Sequence, residues 1–203
     1  MKKLFDSIQI QKPPRNVFDL SFENKLTCNM GELIPFLTQE VLPGDTFNVK
    51  SQILARLQPM LSPVMHRVDV FTHYFFVPNR IIWDEWEKFI TGGVDGLQTP
   101  TVPNTDIKES TKSSWIKGRL GDYMGIPPVD PATTITQPKT ISKLPFLAYA
   151  KIWNDYYRDQ NLQTELDLPN MTHADITVVR KRAWEKDYFT SALPFAQRGE
   201  PVT

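Results

Sequence analysis

The chain has 203 residues, 40% of them hydrophobic, and its 23 Lys and Arg balance 23 Asp and Glu to a formal net charge of zero. A chain of this size buries roughly 70% of the surface it exposes when unfolded, which excludes general disorder. Without a basic excess it does not read as a dedicated nucleic-acid domain, so any polyanion contact must be local.

Seventeen prolines exceed the ordinary usage of about 5%, and twelve Phe, six Tyr and five Trp supply much of the apolar bulk. Proline fixes φ and lacks a donor, so regular elements should be short and connections long, which argues against a helical bundle. The single cysteine, Cys28, permits neither an internal disulfide nor a cysteine metal cluster. The N-terminal stretch MKKLFDSIQIQKPP has no apolar run behind its two lysines, and no segment approaches the ~18 apolar residues of a membrane span. Neither a secreted precursor nor a membrane protein is expected.

In residues 17–28, Phe18, Leu20, Phe22, Leu26 and Cys28 alternate with Asp19, Ser21, Glu23, Lys25 and Thr27, the two-residue period of a half-buried strand. Pro43, Gly44 and Asp45 signal a turn. A second strand follows over 46–57, with Phe47, Val49, Ile53 and Leu57 on its apolar face. Residues 67–77 are apolar on both faces (Val68, Val70, Tyr74 and Phe76 against Phe71, Phe75 and Val77), as in a central strand. After Pro78, the residues Trp83, Trp86, Phe89 and Ile90 recur at helical spacing, with Gly92 and Gly93 closing that helix. Residues 94–143 are rich in Pro, Thr, Ser and Gly, and read as a surface or interface excursion rather than core. Helical spacing returns at Phe146, Tyr149, Ile152, Trp153, Tyr156 and Tyr157, with Pro145 placed in the first turn. The rest, from Ile176 on, mixes both periods and holds the main basic cluster. No internal repeat or low-complexity tract is evident.

Local signatures of catalysis are missing. His66, His73 and His173 are too far apart in sequence for a local metal motif, and His73 reads as a core histidine with a hydrogen-bond partner. Asp84, Glu85 and Glu87 suit a helix start, where the dipole explains them. No G-x-S-x-G, phosphate-cradling glycine loop or C-x-x-C occurs. Neither catalytic nor metal-ligating residues nor a cofactor site are assigned. Trp83 with Trp86, and Trp153 with Tyr157, read as packing pairs. Arg180, Lys181 and Arg182, with Lys186 beyond, can meet phosphates, although Glu185 and Asp187 interrupt the run as in a solvated charged face. The residues alone therefore describe a mainly β domain with helical excursions and no enzymatic chemistry.

More specific are the words of the sequence. The block VLPGDTFNVKSQILARLQPMLSPVMHRVDVFTHYFFVPNRIIWDEWEKFITGG, with LGDYMGIP, LPFLAYAKIWNDYYRDQNLQ and AWEKDYFTSALPFAQRGEPV, resembles the N-terminal part of the major capsid protein of gokushovirus-type microviruses, small tailless bacteriophages with single-stranded DNA. The resemblance implies a viral jelly-roll β-sandwich with long, partly helical insertions. On it, residues 1–203 are the N-terminal part of a single jelly-roll domain holding only the early strands, with an insertion at about 80–160.

The resemblance further implies a structural protein, not an enzyme, that self-assembles through identical subunits into pentamers and a small icosahedral shell around single-stranded DNA. Packaged DNA would be bound non-specifically, with Lys2, Lys3, Arg180, Lys181 and Arg182 as candidates for facing it. A spike protein and a small basic DNA-binding protein are further implied partners. The place would be the virion capsid, assembled in the bacterial host cytoplasm. Members of the family are much longer than this sequence, so it is either a truncated product or, the favoured expectation, the first segment of a longer polypeptide, with sheet edges whose partners lie outside it. The alternative from another class is a soluble β-sandwich carbohydrate-binding module or a cupin-like enzyme, which would stay monomeric or form small oligomers.

Overall fold

The computed structural model describes residues 14–193 and Phe195, and divides them into two parts of different character. Residues 14–77 form an extended arm. One turn is where the sequence puts it, Asp45 N–H donating to the Leu42 carbonyl (3.1 Å) around Pro43 and Gly44; in another, Glu32 N–H reaches back to the Asn29 carbonyl around Gly31. Between them the chain is extended, without regular secondary structure.

The second part is a helical lobe. Helix α1 (Asn79–Ile82) begins directly after Pro78, whose fixed φ and missing donor suit a helix start. Helix α2 (Trp86–Thr91) ends where Gly92 turns left-handed at φ 77°, donating its N–H to the Lys88 carbonyl. A Cβ at Gly92 would lie 2.8 Å from the Gly96 carbonyl oxygen, so glycine is required there. Strand β1 (Asn104–Ile107) pairs antiparallel with β2 (Lys139–Ser142), Thr105 opposite Ile141. The loop they enclose carries a 3₁₀ turn (Glu109–Ser114) and α3 (Leu120–Tyr123).

Helix α4 (Leu144–Ile152) starts with Pro145 in its first turn and widens into a π-helical turn at Trp153–Tyr157. Short α5 (His173–Ile176) is closed by a capping box, Thr172 accepting from Asp175 N–H while the Asp175 carboxylate accepts from Thr172 N–H. Ile82, Ile107, Trp115, Leu120, Phe146, Leu147, Ala150, Met171 and Ile176 form one buried cluster. Trp115 meets Phe146 edge to face at 5.7 Å.

Several expectations are corrected. The alternating segments 17–28, 46–57 and 67–77 are extended, but the backbone groups of 46–77 have no backbone partner among the described residues. Alternation specifies which face is apolar; a ladder also needs a neighbouring strand in register, and none lies alongside. Residues 94–143, expected as a surface excursion, hold the only two-stranded sheet among the described residues and three core residues, Ile107, Trp115 and Leu120. A few large side chains suffice to seed a core when flanking Pro and Gly turns fold the chain back on itself. His73 is exposed rather than buried in a central strand, although it does have a partner. The two helices near Trp83 and Phe146, and Gly92 as the stop of the first, are as expected. Helix is sparse and the sheet small, an architecture compatible with the mainly β class.

Candidate assembly surface

Two features of this architecture stand out as functional: an uncovered apolar arm, and the clasp that holds it to the lobe. Along the arm, Phe18, Phe22, Phe47, Val49, Ile53, Leu57, Val70 and Phe76 all leave between 40% and 76% of their surface in solvent. Isolated exposed apolar residues are ordinary; a whole ribbon of them marks a surface meant to be covered.

The clasp is built from side chains with polar tips on apolar bodies. Gly31, Glu32 and Leu33 lie antiparallel to 180–182: Leu33 N–H donates to the Arg180 carbonyl and Arg182 N–H to the Gly31 carbonyl, both at 2.9 Å. Beneath this bridge, the Tyr149 hydroxyl on α4 donates to the Leu33 carbonyl (3.0 Å) and accepts from Arg180 N–H (2.8 Å). Burial pushes this phenol up to about 12, against the opposing pull of the Arg180 N–H and guanidinium. The Trp153 indole N–H donates to the Lys181 carbonyl (2.9 Å), and Tyr123 donates to the Thr27 carbonyl (2.7 Å).

The far end of the arm is held by aromatics. The π-helical turn presents Tyr156 and Tyr157 to it: Tyr157 stacks on His73 at 5.9 Å and bonds its Nδ1, while Phe75 meets Tyr156 at 5.0 Å. Such turns are rare and recur at functional positions. Sequence spacing placed these tyrosines on a helix but gave no sign of what their hydroxyls reach. The available signal was chemical, since a buried Tyr or Trp needs a partner for its polar end.

The basic cluster falls within this clasp. The Arg180 guanidinium lies over Trp153 at 5.5 Å, bonds the Asp175 carbonyl and sits 3.7 Å from the Asp175 carboxylate. Arg182 pairs with Glu185 and covers the Phe71 ring at 5.3 Å. Lys181 is exposed and faces Glu32, whose carboxyl is lowered chiefly by the Asn29 side chain and to a lesser degree by this lysine. Lys186 is bound to Asp159 at 2.7 Å. Lys2 and Lys3 lie outside the described residues.

Among the described residues no three His, Cys, Asp or Glu side chains gather to hold a metal, and no helix is long and apolar enough to cross a membrane. The grooves present are open: one is lined by Ile116, Lys117, Pro128, Val129, Asp130 and Pro131, the other by residues 165–169.

Comparison with known proteins places the chain as a whole. A family model described as capsid protein (F protein) matches residues 6–203. Capsid protein VP1 of Chlamydia phage 1 is 36% identical over 225 residues, covering 100% of this chain and 37% of the relative. Capsid protein VP1 of Bdellovibrio phage phiMH2K is 38% identical over 93% of this chain and 34% of its own length. For capsid protein VP1 of Spiroplasma virus 4 the identity is 33%, over 94% of this chain and 36% of the relative. The chain thus spans little more than a third of the length of the relatives it matches.

Proposed function

The chain belongs to the microvirus capsid protein (F protein) family, and from that premise we propose that it supplies the N-terminal part of a major capsid protein that builds a shell from identical copies. The observation that carries this reading is the arm, an alternating ribbon whose apolar residues are left exposed and whose residues 46–77 have no backbone partner among the described residues. Such a ribbon is stable only when other strands complete it. In the reading, residues 1–203 are part of one jelly-roll domain with an insertion at about 80–160, which covers the lobe from α1 to the π-helical turn. The arm then supplies early strands of a two-sheet sandwich, whose remaining strands come from the longer polypeptide.

Function follows as assembly rather than catalysis. Identical subunits meet through repeated contacts, pentamers close into an icosahedral shell in the host cytoplasm, and symmetry multiplies weak contacts into a stable particle. A carbohydrate-binding module or cupin-like enzyme finds no support in the family match or in the described residues, which gather no ligand set. Sedimentation and electron microscopy of the full-length polypeptide test the reading: pentamers or closed shells are expected, and a persistent monomer at assembly concentrations overturns it.

Single-stranded DNA is the proposed content of the shell, with Lys2, Lys3, Arg180, Lys181 and Arg182 as its facing residues, joined by a spike protein and a small basic protein as partners. Arg180 and Arg182 already serve the clasp, which leaves Lys181 the cation best placed for phosphate contact. Contacts of this kind are independent of sequence and weaken with salt. Replacing Lys181 should lower DNA content and make DNA retention depend less steeply on salt; unchanged content and salt dependence remove Lys181 from the DNA interface.

A further inference from the structure

We propose that His173 makes the lobe, and through it the arm clasp, labile to mild acid. His173 is the first residue of α5. Its Nδ1 lies 3.1 Å from the Thr105 hydroxyl on β1, and its ring packs edge to face on buried Trp115 at 5.4 Å. Its Nε2 is buried without a hydrogen-bond partner, as is the Trp115 indole nitrogen beside it. A neutral imidazole tolerates this place; an imidazolium must be desolvated in a pocket where Nε2 has no hydrogen-bond partner in place, with the Thr111 backbone the one group near enough to favour it.

The charges around the ring have the same sense. Lys108 follows β1 and Lys143 caps α4, and both disfavour protonation. The carboxylates of the packed elements are committed elsewhere. Asp106 accepts from Thr140, Glu109 from Ile135 N–H and Lys112, and Asp175 from Thr172 with Arg180 nearby. Only the Thr111 backbone favours the charged ring, and burial outweighs it, holding the His173 pKa below its ordinary value.

A histidine whose folded pKa is lowered destabilises the fold as pH drops below the unfolded value of about 6.5, until the folded value is reached. The transmission is covalent and short. Ile176 and Thr177 anchor α5 in the core, Thr177 accepts from Leu120 N–H, and three residues later Arg180 begins the bridge to Leu33.

Hydrogen exchange on the intact polypeptide from about pH 7.5 to about pH 5, corrected for intrinsic rates, reads the effect. Segments 171–182 and 29–33 should lose protection by up to about tenfold per pH unit below about 6.5, the equivalent of one proton. His173→Asn, which keeps a polar atom toward Thr105 and cannot titrate, should flatten that profile. Exposed Lys108→Gln removes one repelling cation, so its loss of protection should level off at higher pH than in the parent chain. Protection of 171–182 that holds down to about pH 5 overturns the proposal. So does an acid slope that persists in His173→Asn, or, should that variant not fold, a Lys108→Gln profile identical to the parent's.

Discussion

Phe22 in the arm and Phe146 in the lobe are the same residue with opposite fates: one leaves 58% of its surface in solvent, the other 1%. Hydrophobicity does not separate them; what each can reach does. Phe146 sits on a helix that packs against Trp115 and Leu120, from the segment closed by the β1–β2 pair, and against Ile176 of α5. Phe22 belongs to a ribbon whose apolar face has no opposing face among the described residues. The lobe is complete within itself, whereas the arm is half of an interface, held ready by a few polar bonds and aromatic contacts.

Substitutions in the lobe core should test that contrast most strongly. Phe146→Ala leaves a cavity where packing is tight, and should cost about 3–5 kcal/mol in denaturant unfolding; a loss under about 1 kcal/mol would show the lobe to be no more self-sufficient than the arm. Gly121→Ala tests the same packing from the other side. Its Cβ would fall 2.8 Å from the Trp115 ring, and a loss of about 1–3 kcal/mol is expected.

The clasp should respond at an intermediate level. Tyr149→Phe leaves the Leu33 carbonyl and Arg180 N–H without their shared partner and should weaken arm docking by about 1–3 kcal/mol. Exchange at Leu33 and Arg180 should quicken while that of α4 stays put. Alkali should act on the same residue. Because the folded phenol titrates at about 12 against an ordinary 10.0, stability is intact below pH 10.0 and falls as pH rises from there toward 12. Tyr149→Phe should lose that component of the alkaline slope.

Reading the sequence recovered what depends on local chemistry. Gly92 as a helix stop, Pro145 in a first turn and the Pro43–Gly44 turn are written in single residues whose backbone demands are strong. Apolar faces were legible too, in Phe47, Val49 and Ile53. Missing from the sequence was what each face meets. The core role of Trp115 and Leu120 was hidden by the Pro- and Thr-rich residues around them, since the β1–β2 pair that closes this segment joins residues more than 30 positions apart. The clasp was equally hidden: Tyr149, Trp153 and Tyr123 look like packing residues by spacing, and only the fold shows which carbonyls their polar ends reach. Arg180 and Arg182 read as a free basic run because sequence distance says nothing of Trp153 or Phe71 beneath them.

The smallest effect on this chain should come from the residue whose exposure matters most to the proposal. Val70 leaves 62% of its surface in solvent and sits in the segment that alternates on both faces. Val70→Ser removes nothing the described residues cover, so the unfolding free energy of residues 1–203 should move by less than about 0.5 kcal/mol. In the full-length polypeptide the same change would put a hydroxyl into a sandwich core without a partner, at about 1–3 kcal/mol per subunit. Repeated in every copy of a closed shell, that loss should lower the yield of assembled particles far more than it lowers the stability of this segment. Equal small effects in both settings would mean that the arm's apolar face stays open in the assembled particle, and the division between a finished lobe and a waiting arm would have to be redrawn.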